Sequence, residues 1–195
     1  MGRPAKMTDT DVLDITYALA WQRGCDDVTI RDLEVALDLR APSIYRRFQS
    51  RDVLLAAAID RYAERVVGGR VRRYLQDADD PLAGIRQFFL SALHSTANPE
   101  IPRGCLIATT SQQSSYAIPA IRDAVTRGFA TVEEALRAAL DRAVADGHQF
   151  ASANHDLARA LLQNFLGVLV LVRCGHDQLE PSMTVMLDAL LSSSV

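Results

Sequence analysis

Residues 29–55 read TIRDLEVALDLRAPSIYRRFQSRDVLL, and the punctuation inside that stretch decides the fold. Thr29 is a helix-capping residue type, and Asp32, three places on, suits the positive end of a helix dipole. Ile30, Leu33, Ala36 and Leu37 follow the three-to-four spacing of one inward face. Asp38-Leu39 makes a tight turn, Pro42 stands in the first turn of a second helix from about Ala41 to Phe48, and Ser50 opens a third. Upstream, Thr8 and Asp9 can cap a helix with Val12, Ile15 and Leu19 on its buried side, and Gly24 ends it. Short helices in which two are joined by a tight turn describe a helix-turn-helix.

The second helix of such a pair enters the major groove of DNA and presents its N-terminal side chains to base edges. Arg40, Ala41, Ser43 and Arg47 are therefore the expected readers, arginine because its fork offers two donors to guanine. Tyr45, Arg46 and Arg51 are expected to position phosphates, with Arg31 and the Thr29 hydroxyl on the preceding helix. A net charge of −3 over 195 residues argues against a polyanionic partner until its distribution is considered. Residues 1–51 hold eight basic and eight acidic side chains, and every acid lies at or before Asp38. Arg40, Arg46, Arg47 and Arg51 then follow with no acid among them, a local basic surface in an acidic chain.

Outward from this stretch the signals remain helical, and alternating β-branched runs with Asn-Gly or Asp-Gly turns do not occur. The helix from Ser50 runs through Leu54, Leu55, Ala58, Ile59 and Tyr62, and Gly68-Gly69 should weaken or kink it. Asp79-Asp80-Pro81 breaks the chain before a helix at about 82–97, and a short one starts at Cys105. Pro119 opens a long helix that Gly147 stops, and two apolar helices follow at about 156–173 and 182–191. The expectation is an all-α, nine-helix, two-part architecture: a helix-turn-helix domain over 1–50 and an Ala/Leu/Val-rich body over 51–195.

Catalytic and metal chemistry find no footing. No nucleophile–base–acid grouping or Gly-rich phosphate loop occurs, so neither an enzyme nor a cofactor is expected. Cys25, Cys105 and Cys174 are odd in number and irregular in spacing, and the four histidines add no metal-ligand spacing. The polar Met1 to Asp14 lacks an apolar signal region, and no uninterrupted apolar run reaches about 18 residues. A cytoplasmic protein without a membrane span is expected.

The run from Thr29 to Leu33, with Ala36-Leu37, Ala41 to Phe48 and Arg51 to Leu55, closely resembles the DNA-binding domain of the TetR family of ligand-responsive repressors. The resemblance spans roughly residues 8–56. It implies base or phosphate contact by Arg31, groove-facing roles for Ala41, Pro42, Ser43 and Arg47, and phosphate contacts by Tyr45 and by Arg51, which stands where a lysine is usual. Gly2-Arg3-Pro4 looks like an arginine-bearing extension, so that Arg3 could reach a neighbouring groove or phosphate. Two positions depart from the pattern. Asp38 replaces the usual turn glycine, and Arg40 replaces the usual Ser or Thr cap, a loss of about 1 kcal/mol.

The resemblance extends to the body. Pro102-Arg103-Gly104-Cys105-Leu106-Ile107 resembles the Arg-Gly-Cys-Leu segment of one subset of members, and the stretch from Ala145 to Gly167 resembles the approach to the dimer helix. It implies a homodimer through the last two helices, double-stranded operator DNA as partner, and release by a small-molecule effector not identified by the sequence. An activator or a ligand-independent DNA binder of the same fold is the alternative. Tyr62, Phe88, His94, Cys105, Thr109, Phe129, Asn164 and Phe165 are the candidate effector contacts. Asn164 is expected to be a buried amide on the face of Leu157, Leu161 and Val168. Cys105, at a helix N-terminus beside Arg103, has surroundings that favour a thiolate and electrophile sensing, although a small apolar residue also suits that place.

Overall fold

A computed structural model describes residues 7–93, 103–176 and 178–192. Among these residues the chain is all-α, with nine helices and no strands. Helix α1 spans Asp9–Arg23, α2 Ile30–Leu37 and α3 Ala41–Phe48. Helix α4 begins as Arg51–Tyr62, widens to π-helical turns at Ala63–Val67, regains one α turn at Gly68–Arg70 and widens again at Val71–Gln76. The Gly68-Gly69 pair thus sits between two π-helical stretches, a register adjustment of a kind often found at functional sites. Helix α5 is Pro81–Leu90, α6 Leu106–Thr110, α7 Pro119–Ala145, α8 Asn154–Arg173 and α9 Glu180–Leu191.

Capping explains the starts. Thr8 and Thr29 each form a reciprocal capping box, with Asp11 and Asp32 respectively. These hydrogen bonds, chiefly from Thr29 and then from Arg23, hold the Asp32 carboxyl at a pKa of about 2. Asp80 caps α5 through the amides of Leu82 and Ala83. Asp38 closes α2 in the left-handed conformation, φ 48°, which aspartate tolerates better than most residues. Two inward faces differ from the periodicity reading. In α1 the buried positions are Val12, Thr16 and Ala20 rather than Ile15 and Leu19, and in α2 Ala36 points to solvent.

Helix α7 is the centre of the body, packed against α4, α5 and α8. Leu54, Ile59, Phe89, Leu136, Leu140 and Leu161 are among its fully buried contributors. Gly84 permits a close crossing, since a Cβ there would stand 2.3 Å from the Tyr74 carbonyl oxygen. Helix α8 is also long and apolar enough to cross a membrane by length and composition alone, with mean hydropathy 1.3 over its best window, which the absence of an uninterrupted apolar run had concealed. Its Leu157, Leu161, Phe165, Leu169 and Val172 face the core, as in an ordinary core helix.

The head is fastened to the body by the loop between α1 and α2. Asp14 on α1 pairs with Arg61 at 2.9 Å and with Arg65 on α4. Gly24, φ 92°, has no room for a Cβ because Gln113 Nε2 would lie 2.2 Å away. The Cys25 amide donates to Gln113 Oε1 at 2.9 Å, and the Cys25 thiol lies 3.4 Å from the Thr110 hydroxyl. The Asp26 carboxylate accepts the Ser114 and Ser115 amides, each at 2.8 Å. Burial acts to raise the Asp26 pKa, but the hydrogen bonds from Ser115 and Ser114 outweigh it and lower the value from 3.8. A group depressed in the folded state stabilises above its unfolded pKa and loses that contribution as pH falls through the folded value. The urea midpoints of wild type and Asp26→Asn are therefore expected to differ at neutral pH and to converge as the pH drops below about 4.

Candidate nucleic-acid interface and effector pocket

Helix α3 has one buried side chain, Ile44, which anchors it to the head. Pro42, Tyr45 and Arg46 fall on the opposite, exposed face, with Arg40 exposed at the N-cap and Ala41 and Ser43 partly covered beside them. Arg31 and Thr29 are exposed at the start of α2. A shallow hollow lined by Arg31, Glu34, Val35, Asp38, Leu39 and Arg40 lies along α2 and the turn that follows it. Arg31, Arg40 and Arg46 make no ion pair or side-chain hydrogen bond among the described residues. Three unneutralised guanidinium groups thus project from one surface of an acidic chain.

The absent Ser or Thr cap on α3 has a substitute from α2. Glu34 Oε1 accepts the Ala41 amide at 2.7 Å, so the first turn is not left open as the Arg40 substitution suggested. Glu34→Ala is expected to cost about 1 kcal/mol in chemical denaturation. Adding Arg40→Ser should recover most of that loss by restoring a local cap.

Two expected DNA contacts are engaged elsewhere. Arg47 donates from Nε to Asp9 at 2.7 Å, and its Nη2 reaches Asp9 and the Met7 carbonyl, so it ties α3 to the start of α1 instead of reaching outward. Arg51 donates to the carbonyls of Val28 at 2.5 Å and of Cys25, and pairs with Asp52 at 2.8 Å. It holds the α1–α2 loop onto α4, a role that leaves its fork unavailable to phosphate in this conformation. Arg3 lies outside the described residues.

In the body, Phe88, Cys105, Phe129 and Phe165 converge on one narrow, nearly filled pocket, with a cavity of about 20 Å³ behind a partly open mouth. Phe165 packs on Phe88 with its ring tilted by 35° at 4.6 Å and meets Phe89 edge-on at 5.1 Å. Gly128 lets Ile107 close the wall, as a Cβ there would be 2.4 Å from its terminal methyl. Tyr62 is fully buried behind the pocket, its hydroxyl beside the Cys105 thiol and the Leu106 amide. Burial, then the neighbouring Cys105, pushes the Tyr62 pKa well above its usual value. The other side of Tyr62 meets Trp21 and Tyr17 of α1 edge-on, at 5.0 and 5.8 Å.

Arg70 is the pocket residue that sequence reading missed. Its Nε and Nη2 donate to Ser91 Oγ at 3.0 and 2.7 Å, and Nη2 also reaches the Phe88 carbonyl. Its guanidinium carbon lies 5.2 and 5.4 Å from the ring centroids of Phe88 and Phe165. The residue as a whole keeps some solvent contact, but burial of the guanidinium is the largest influence on its ionisation and lowers its pKa. Tyr62, Cys105 and Tyr74 act in the opposite direction, and no carboxylate among the described residues contributes. Each cation–π contact supplies about 0.5–2 kcal/mol, whereas desolvating an ion costs several, so these neighbours only partly compensate the charge. The spacing of Val67, Arg70, Val71 and Tyr74 could have placed Arg70 inward.

The other candidates separate. Thr109 lies with Gln112, Gln113 and Arg173 in a second hollow, which shares Cys105 and Leu169 with the first but none of its phenylalanines. Asn164 is exposed and donates to the Ala160 carbonyl of its own helix at 2.8 Å. At 100° per residue it stands roughly 100° from Phe165, just past the edge of the buried sector, which corrects the expected buried amide. Among the three free cysteines, Cys174 is exposed, whereas Cys25 and Cys105 are buried. His94 lies outside the described residues. No group of three or more His, Cys, Asp or Glu among the described residues is placed to hold a metal.

Residues 81–180 match the tetracyclin repressor-like C-terminal domain, and residues 12–58 match the bacterial regulatory proteins of the tetR family. The chain belongs to the TetR family. Members are DNA-binding transcription regulators, not enzymes. Among relatives, the HTH-type transcriptional repressor ComR of Escherichia coli K12 is 27% identical over 107 residues, which are 54% of this chain and 50% of ComR. The match thus spans half of that relative's length. Reduced E. coli NemR superposes with a TM-score of 0.84 at 19% identity, covering 96% of this chain and 98% of NemR. A cysteine mutant of the TetR-family regulator CifR, complexed with 26-bp double-strand operator DNA, superposes with a TM-score of 0.82 at 21% identity. That match covers 99% of this chain and 100% of CifR. These TetR-family folds share the two-part, all-helical architecture.

Proposed function

We propose that this TetR-family regulator is a homodimeric repressor that binds operator DNA through α3 and releases it when a small effector enters the pocket between α4, α5, α7 and α8. The observation that carries the reading is the set of unpaired guanidinium groups of Arg31, Arg40 and Arg46 on the exposed head. Thr29, Ala41, Pro42, Ser43 and Tyr45 complete the contact surface, with residues 1–50 as the reading head and 51–195 as the sensing and dimerising body. The protein works in the cytoplasm.

Dimerisation is supported by α8 and α9. Val170, Leu171 and Val185 are exposed there, Val185 at 71%, and a groove runs between Asn164, Gly167, Leu171 and Met186. Two such helices from each of two subunits make a four-helix contact with two-fold symmetry. Light scattering after gel filtration should give twice 21.4 kDa, and a 21.4 kDa species in dilute buffer would count against the dimer.

Gel shift with the promoter region flanking its own gene tests the regulator itself. A salt-sensitive shift supports the reading, and none at low salt refutes it. A drop in transcription from that promoter when the protein is added separates repression from activation. If an electrophile releases wild type but not Cys105→Ser, the thiol takes part in release. Equal release in both excludes Cys105 as the sensing thiol.

A further inference from the structure

We infer that the pocket takes a small apolar monocarboxylate, with the ligand's carboxylate on Arg70 and its hydrocarbon body among Phe88, Phe129, Leu162 and Phe165. The inference rests on the proposed effector pocket and names the chemical class it selects; the cavity of about 20 Å³ widens to admit the ligand by movement of its side-chain walls. Arginine cannot lose its proton in a protein, so a guanidinium in an apolar pocket keeps its charge whatever the surroundings. Ser91 and the Phe88 carbonyl occupy Nε and Nη2, while Nη1 carries no hydrogen bond among the described residues. The two rings fix the guanidinium plane, so the remaining donor edge is oriented before any ligand arrives.

The rest of the lining selects against larger charge. Besides Arg70, the pocket offers one polar side chain among the described residues, the Cys105 thiol, against walls of Val67, Leu162, Leu166 and Leu169. One fixed positive charge is neutralised by one carboxylate. A phosphate dianion would bring a second charge into the same walls with nothing to meet it. A neutral ligand would leave the guanidinium uncompensated, and a cationic one would add repulsion.

The test is calorimetric titration of the full-length chain with phenylacetate, cinnamate and octanoate, each paired with its primary amide, and with phenyl phosphate. Fluorescence of Trp21, the only tryptophan, gives a second readout because its ring packs on Tyr62 behind the pocket. At least one carboxylate is expected to bind at least about tenfold tighter than its amide and than phenyl phosphate. Arg70→Met should erase that preference, and Arg70→Lys should retain part of it. The inference is overturned if no carboxylate binds, if amide and acid bind equally, if phenyl phosphate binds best, or if Arg70→Met keeps the preference. If Arg70→Met does not fold, the acid–amide comparison on wild type still decides. Gel shifts of the same proteins separate the two ideas. Operator binding without carboxylate binding removes this inference alone, and no operator binding at all removes the regulator reading, whatever the titrations show.

Discussion

Replacing Arg31, Arg40 and Arg46 together by alanine is expected to abolish operator binding while leaving the fold intact. None of the three is tied to another described side chain, so their removal breaks no internal ion pair. A charge-assisted hydrogen bond contributes about 1.5–3 kcal/mol, so three lost contacts per head remove about 4 kcal/mol or more, at least roughly a thousandfold in affinity. Each phosphate contact contributes about 0.9 to the slope of log K against log salt. With both heads of a dimer engaged, the slope should flatten by about five in a variant whose thermal midpoint barely moves. Arg47→Ala and Arg51→Ala should invert the pattern, with a lower melting temperature from the lost Asp9 and loop-carbonyl anchors. If the triple variant keeps wild-type affinity and salt slope, α3 does not meet the operator in the way proposed.

Gly84→Ala is the second large effect, on stability. Its Cβ would stand 2.3 Å from the Tyr74 carbonyl oxygen and 2.8 Å from the Ala78 Cβ, and neither backbone nor a methyl group can swing aside. Helix α5 must lift from the end of α4, at a cost of roughly 3 kcal/mol. Phe88, one turn further along α5, moves with it, so the pocket should lose its shape at the same time. Gly69→Ala is the control. Nothing lies within 4 Å of a Cβ there, and alanine in a helix is favoured by about 0.5–1 kcal/mol. Urea denaturation of both variants checks the pair, and a Gly84→Ala midpoint equal to wild type would contradict the close crossing.

Helix order and caps were legible because they are local. Thr8, Thr29, Ser50 and Asp80 announce helix starts within three residues of the amides they satisfy. The exposed face of α3 follows from the same arithmetic once Ile44 is placed inward. What the sequence hid depends on distant partners. Arg47 and Arg51 look like free charges in a basic run, yet they meet Asp9 and the α1–α2 loop, 38 and 23 residues earlier in the chain. Glu34 resembles an ordinary surface acid, and only the turn at Asp38 brings it over the first amide of α3. Arg70 carries no motif that marks it in the sequence, although Val67 and Val71 on either side of it are buried.

The fastening of Gly24, Cys25 and Asp26 to Gln113, Ser114 and Ser115 bears on how such regulators can be recombined. A hybrid cut at residue 50 would carry the loop on one parent and its receptor on the other, since the two lie 88 or 89 residues apart in the chain. Any foreign body without a glutamine and two properly presented amides after α6 would receive this head with Asp26 unsatisfied and Gly24 facing a void. The exchangeable unit is therefore discontinuous, comprising the first 50 residues together with the α6–α7 turn, and transplanting both should yield chimeras that inherit this chain's operator choice with a stranger's chemical sense.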